Sequence, residues 1–315
     1  MKKLILLGTI AATMLAACNN DETGMDGTDS RRATFSATID GQRATRAYDT
    51  SWENGDAIGI RCTSGGKVYS NVKYVTTGDG SFSAAATGTE IYYQDDQPVT
   101  FTAYYPWFDL QGAGFFTADT WGQADQKSFD FLWAQATGSK ASPNVAFAFS
   151  HRMTKVVLTI KGGADVGYDE VKNAVLSLEG FKREGSFDVI TGETEATGNP
   201  GVMWTFANNA GNAAYNAPFV ADATAGTVAY TLILFPQAFD APLPFSAELT
   251  GAQTFSAVLD FTAANRNAGD TAPKNEWVAG RQYNLSVTLH KTSLTVDGCT
   301  IAPWNEANGG NVNAD

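Results

Sequence analysis

Apolar and polar residues alternate with a period of two along much of this chain, and that pattern constrains its fold more than any other feature. Residues 283–289 alternate Tyr, Leu, Val and Leu with polar residues, and residues 155–161 and 34–40 follow the same rule. Successive side chains of a strand point to opposite faces, so the pattern predicts antiparallel sheets with one buried face. The residues expected to face the cores are Val156, Leu158, Ile160, Leu285, Val287 and Leu289.

The remaining sequence also favours strands over helices. Residues 245–249 and 255–259 flank a short connection that contains glycine, which is hairpin spacing. Residues 168–178 fit a helix, although Val-Leu-Ser-Leu at 175–178 fits a strand equally well. We therefore predict an all-β protein, with β-sandwiches preferred to a barrel and a domain boundary near residues 141–144.

The N-terminus has the features of a bacterial lipoprotein signal. Lys2 and Lys3 precede a short apolar segment, and Leu-Ala-Ala at 15–17 leads directly to Cys18. Such a segment is too short to span a bilayer as a helix and is typical of a signal peptide. We predict removal of residues 1–17, lipidation of Cys18 and attachment to a membrane through the acyl chains.

Residues 18–32 are polar and rich in Gly, Asp, Thr and Ser, so they are expected to form a flexible tether. The acids that follow Cys18 resemble a signal for export to the cell surface, but they also fit an ordinary solvated linker. The body then divides into an N-terminal domain at 33–144, a C-terminal domain at 145–304 and a tail at 305–315.

Charge and composition exclude several functions. The net charge of −12 argues against a nucleic-acid partner, whose phosphates would repel the chain. The two histidines have no cysteine or carboxylate at metal-ligand spacing, and no nucleophile elbow or nucleotide-binding loop occurs. We expect no cofactor, no metal and no enzymatic activity. Cys62 and Cys299 could form a disulfide, but two free thiols are preferred.

An aromatic segment leaves one alternative open. Residues 104–108 read Tyr-Tyr-Pro-Trp-Phe, and further Phe and Trp residues follow up to Trp133. Exposed rings can stack on sugars, so a glycan-binding lipoprotein of a nutrient-uptake system is an alternative function. Packing in a core is the preferred interpretation for most of these rings.

Several short motifs occur in an order that resembles the fimbrillin family of Bacteroidales-type fimbriae, the Mfa-like subunits. They are Ala-Thr-Arg-Ala at 44–47, Trp-Glu-Asn-Gly-Asp at 52–56, Ala-Tyr-Tyr-Pro at 103–106, Phe-Ser-His at 149–151, Leu-Phe-Pro-Gln at 234–237, Trp-Val-Ala-Gly at 277–280 and Ile-Ala-Pro-Trp at 301–304. The resemblance extends over about residues 33–305. It implies two β-sandwich domains of transthyretin-like topology in a lipoprotein precursor.

The resemblance also implies assembly by strand donation. A protease cuts behind an arginine, Arg46 or Arg43 in this sequence, and residues 33–46 are removed with the strand that carries Phe35, Ala37 and Ile39. The alternative is that the two arginines lie in an ordinary loop and that the strand stays in place.

The vacated groove then accepts a strand from a neighbouring subunit, because an added strand satisfies both unpaired backbone and exposed core. The candidate donor strand in this chain contains Leu294, Val296 and Ile301. Because the chain ends soon after Trp304, a tip or accessory position is expected rather than a stalk position.

The predicted function is therefore a structural and adhesive subunit of cell-surface fimbriae. Its expected partners are other fimbrial subunits, the outer membrane through the lipid anchor, and a glycan or protein on a host or bacterial surface.

Overall fold

The computed structural model describes residues 31–39, 51–112, 114–207, 217, 219–249, 253–266 and 272–304 of the 315-residue chain. Nearly all regular structure in this part of the chain is β, which confirms the all-β prediction. The strands are β1 (Thr34–Ile39), β2 (Ala57–Ser64), β3 (Lys67–Thr76), β4 (Ser81–Ala84), β5 (Val99–Tyr105), β6 (Phe115–Asp119), β7 (Leu132–Gly138), β8 (Asn144–His151), β9 (Thr154–Gly162), β10 (Val175–Leu178), β11 (Glu184–Asp188), β12 (Thr194–Thr197), β13 (Trp204–Ala207), β14 (Phe219–Asp222), β15 (Thr227–Leu234), β16 (Gln237–Ala238), β17 (Leu243–Leu249), β18 (Gln253–Leu259), β19 (Glu276–Trp277), β20 (Arg281–Leu289) and β21 (Leu294–Pro303).

The helical structure described is short. The α-helix α1 (Tyr168–Lys172) is followed directly by β10, so the ambiguous segment 168–178 contains both a helix and a strand. A 3₁₀-helical segment, Gln123–Ser128, precedes β7. No helix in the described ranges is long and apolar enough to cross a membrane.

Seven strands of the N-terminal half form a closed barrel in the order β1-β4-β3-β2-β5-β7-β8. The preference for separate packed sheets over a barrel therefore does not describe this half. The barrel closes because β1 pairs with β4 on one side and with β8 on the other. Without β1, the other six strands would form an open sheet with β4 and β8 at its edges.

In the C-terminal half, a four-stranded sheet (β13-β10-β17-β18) and a five-stranded sheet (β14-β15-β9-β20-β21) bury their inner faces in one core. The hairpin predicted at 245–259 is β17–β18. Strands β9 and β20, which carry the predicted alternation, are neighbours in parallel register. The six side chains predicted to be buried there are at most 2 % exposed.

A third cluster of apolar residues, here called the junction cluster, joins the barrel strands to the small sheet β12-β11-β6 and to β15. Its most buried members are Tyr104, Phe129, Phe131, Met153, Phe187, Ile233, Phe235 and Trp304. The predicted boundary at residues 141–144 lies in the connection between β7 and β8, and both of these strands pair within the barrel. Because β8 pairs with both β7 and β1, the barrel extends to the end of β8.

Candidate functional site: the groove filled by the first strand

The first strand lies between two others and is attached to both through its backbone. β1 runs parallel to β8 over six paired residues, from Thr34 opposite Asn144 to Ile39 opposite Phe149. On its other side, Phe35 is opposite Phe82 of the antiparallel β4. We call the space between β4 and β8 the β1 groove.

The inner face of β1 completes the barrel core. Phe35, Ala37 and Ile39 are 4–5 % exposed. The ring of Phe35 makes edge contacts with Tyr74 and Phe101, at centroid distances of 4.8 and 5.4 Å, and stacks on Phe147 at 5.8 Å. Phe35 is therefore enclosed by three aromatic rings, each from a different strand of the barrel.

Two residues outside β1 hold the backbone of Ala37. The amide of Ala37 donates to the carbonyl of Gly80 at 2.8 Å, and the indole Nε1 of Trp52 donates to the carbonyl of Ala37 at 2.8 Å. Gly80 has a positive φ of +80°, and a Cβ placed on it would lie 2.9 Å from the Ala37 oxygen. Glycine is needed at position 80 both for its backbone conformation and for this close approach.

The groove continues past the end of β1 into a cavity. A space of about 300 Å³ lies next to Ile39. Its apolar lining includes Ile39, Trp52, Tyr105, Leu132 and Ile233, and its charged lining residues are Asp56, Asp125, Lys127 and Asp130. The cavity therefore has apolar walls with charged groups among its lining residues.

The outer face of β1 is polar. Thr34, Ser36 and Thr38 are exposed, and the Thr34 hydroxyl donates to the side-chain oxygen of Asn144. The strand thus presents apolar side chains to the core and small hydroxyl side chains to water, as an extended segment on a single sheet layer does.

Three predicted site residues fall outside the described part of the chain. Cys18, the predicted lipidation site, and Arg43 and Arg46, the predicted processing sites, have no structural account here. In the sequence, both arginines lie between the end of β1 and Trp52. A cut behind either one would separate β1 from the rest of the barrel.

The candidate donor strand is β21, which forms one edge of the five-stranded sheet and pairs with β20 along its length. Leu294 is buried, whereas Val296 and Ile301 are half-buried against the core between the two C-terminal sheets. An edge strand has one partner strand, so β21 can leave without breaking the pairing of any other two strands.

The two described cysteines are free thiols. Cys62 is buried in the barrel core, and Cys299 lies on β21. Burial raises the pKa of each thiol to about 12. Both side chains are therefore protonated at neutral pH.

Most residues of the aromatic segment pack inside the protein. Phe108 stacks on Phe116 at 3.6 Å, and Phe131 stacks on Phe187 at 4.7 Å, within or against the junction cluster. Phe115 is the most exposed large aromatic side chain among the described residues, at 57 %. These rings mainly contribute packing rather than a flat exposed surface.

The sequence pattern alone does not identify Trp52 and Gly80 as functional residues, although both lie in distinctive short motifs. Trp52 begins the Trp-Glu-Asn-Gly-Asp motif, and Gly80 ends a Gly-Asp-Gly turn. A glycine turn directly before a short strand signals a close backbone approach, but only the three-dimensional pairing identifies β1 as the approaching segment.

Residues 45–304 match the fimbrillin-like family. The chain belongs to the fimbrillin-like family. The match covers most of this fimbrillin-like chain and begins after β1. Membership implies a location in cell-surface fimbriae.

Individual relatives agree with this assignment. The candidate fimbrium subunit Fim1C of Bacteroides uniformis is 28 % identical over 320 residues, covering 98 % of each chain. A candidate cell adhesion protein of Bacteroides uniformis with a solved structure is 26 % identical, with a TM-score of 0.66 over 87 % of this fimbrillin-like chain and 99 % of its own. A second one, from Bacteroides ovatus, is 25 % identical, with a TM-score of 0.67 over 87 % of this chain and 98 % of its own.

Proposed function

We propose that this chain is a non-enzymatic subunit of cell-surface fimbriae that assembles by replacement of its first strand. A trypsin-like protease cuts behind Arg46 or Arg43, β1 leaves, and an extended strand of another subunit takes its place in the β1 groove. The observation that carries the proposal is the position of β1, which closes the barrel by pairing with both β4 and β8.

Loss of β1 would leave two kinds of unsatisfied surface. The facing edges of β4 and β8 would have unpaired amides and carbonyls, and the places of Phe35, Ala37 and Ile39 in the core would be empty. Unpaired strand edges and exposed apolar surface both favour pairing with another chain. An incoming strand with apolar residues at alternate positions would satisfy both at once.

The ends of the chain fit the same role. A lipidated Cys18 would hold the precursor at the outer membrane until processing releases the body together with the loss of β1. At the other end, β21 is the strand we propose as the donor to the next subunit, through Leu294, Val296 and Ile301. We propose a tip or accessory position in the fimbria for this subunit.

Limited proteolysis tests the proposal. Mild trypsin should cut the folded chain near residues 43–46, because arginines within strands are protected by their backbone pairing. N-terminal sequencing distinguishes this cut from one behind Arg31 or Arg32, which would leave β1 in place. The cut chain should assemble, or bind donor-strand peptides, as measured by size-exclusion chromatography and fluorescence anisotropy.

The matched control combines Arg43→Ala with Arg46→Ala, and this variant should stay uncut at that position and monomeric. Strand replacement is contradicted if the chain cut at 43–46 remains monomeric and binds no donor peptide. A glycan-binding lipoprotein would then be the better interpretation.

A further inference from the structure

The inward positions of β1 differ sharply in the room they offer, and this difference defines what the groove can accept. Phe35 lies among three aromatic rings, Ala37 is a small side chain that is buried in the barrel core, and Ile39 lies beside the cavity of about 300 Å³. β1 therefore shows a large, a small and a branched residue at successive inward positions.

The narrow position at Ala37 is confined by groups that have little freedom to move. In the parallel register, Ala37 lies opposite Phe147 of β8. The indole of Trp52 is hydrogen-bonded to the Ala37 carbonyl. The same indole makes edge contacts of 5.1 and 5.4 Å with Phe82 and Phe149, so Trp52 is fixed by rings on both sides of the groove.

The wide end of the groove has the opposite property. A cavity of about 150 Å³ with apolar walls already holds a benzene molecule. The space beside Ile39 is therefore large enough for a bulky apolar side chain, for which Trp52, Tyr105 and Leu132 provide apolar contacts.

We infer that the β1 groove selects its donor strand by the size of alternate residues. Read in the direction of β1, the preferred partner is an extended segment whose alternate residues are an aromatic residue, a small residue and a β-branched or bulkier apolar residue. The small residue at the Ala37 position is the main discriminator. This inference rests on the proposed strand replacement.

The chain's own last strand does not fit this rule. Read in the direction of β1, no alternating triplet of residues 294–304 begins with an aromatic residue followed by a small one. For example, Leu294 and Val296 would place valine at the narrow position. The groove therefore selects a strand from a different subunit, and β21 donates to a different groove.

Peptide competition on the trypsin-cut chain tests the rule. The reference probe is a fluorescein-labelled peptide with the sequence of residues 31–42. A peptide with Ala37→Leu should compete at least about tenfold more weakly, because extra methylene groups in a packed core carry a penalty of that size. A peptide of residues 292–303 should also compete more weakly than the reference.

Thr38→Leu is the matched control, since it adds the same bulk on the exposed face of the strand, and its affinity should stay within about twofold of the reference. Equal binding of the Ala37→Leu and Thr38→Leu peptides would overturn the size rule while leaving strand replacement intact. If the reference peptide itself fails to bind, strand replacement and the rule both fail.

Discussion

Gly80 is the residue at which the attachment of β1 can be tested with the least disturbance elsewhere. Its carbonyl accepts the Ala37 amide, and its Cα faces the Ala37 carbonyl so closely that a Cβ would lie 2.9 Å from that oxygen. Gly88 is a natural control, with a φ of +86° and no atom within 4 Å of the position that a Cβ would take. The two glycines share the backbone conformation but differ in contact with β1.

We expect Gly80→Ala and Gly88→Ala each to lower the free energy of unfolding by about 1–2 kcal/mol, because alanine is strained in the left-handed conformation. Gly80→Ala should lower the free energy of unfolding by a further amount of about 1 kcal/mol or more (the size of a steric overlap in a packed site), because its Cβ would overlap with the Ala37 oxygen. This destabilisation should appear mainly as local opening of β1. Hydrogen exchange of the β1 and β8 amides measures this local opening. Equal exchange in the two variants would show that Gly80 has no special part in holding β1.

The reactivity of the Cys62 thiol can report whether β1 occupies its groove. The thiol is buried in the barrel core that β1 completes, and burial raises its pKa to about 12. Because the thiolate is the reactive form, alkylation at neutral pH should be slow and should increase as the pH rises towards 12.

Loss of β1 would open the barrel core to solvent, which would relieve the desolvation that raises the pKa of Cys62. After the chain is cut and β1 is released, Cys62 should therefore react with iodoacetamide at least about tenfold faster. Binding of a donor peptide should restore the slow rate. Cys299 on β21 is the reference, because its surroundings do not include β1. Peptide mass spectrometry separates the two sites. An unchanged rate at Cys62 after release of β1 would mean that the barrel closes without it.

The elements themselves were predictable from sequence to very different degrees. Period-two alternation identified β1, β9 and β20, because that signal lies within each strand. The barrel was not predicted, because the pairing of Thr34 with Asn144 joins residues that are far apart in the sequence and leaves no local pattern. The resemblance to the fimbrillin family implied that β1 is removable. The attachments of β1 to Trp52 and Gly80 could not be predicted, because these contacts also join residues that no local pattern connects.

In the folded molecule, one wall of the proposed acceptor groove contacts the end of the proposed donor strand. His151 ends β8, which forms one wall of the β1 groove, and its Nδ1 lies 2.8 Å from an Asp130 oxygen. The His151 ring stacks on Trp304, which directly follows β21, with centroids 4.2 Å apart. The His151 and Trp304 rings therefore bring one wall of the acceptor groove into contact with the end of the candidate donor strand.

A molecule built in this way should assemble only when β1 can leave, and a covalent lock tests that requirement. Ser36 of β1 lies directly opposite Ser81 of β4 in antiparallel register, and both side chains are exposed. Directly opposed antiparallel residues have Cα atoms about 4.5–5.5 Å apart, which is within the range that a disulfide spans. The variant with Ser36→Cys and Ser81→Cys should therefore keep β1 attached after the chain is cut behind Arg46.

The most direct measurement is donor-peptide binding by this double variant after trypsin treatment, before and after reduction. We predict no binding while the disulfide is intact and binding equal to that of the cut native chain once it is reduced. The single variant Ser36→Cys should bind under both conditions. Full binding by the cut, oxidised double variant would contradict strand replacement, because it would show that the donor strand binds without displacing β1.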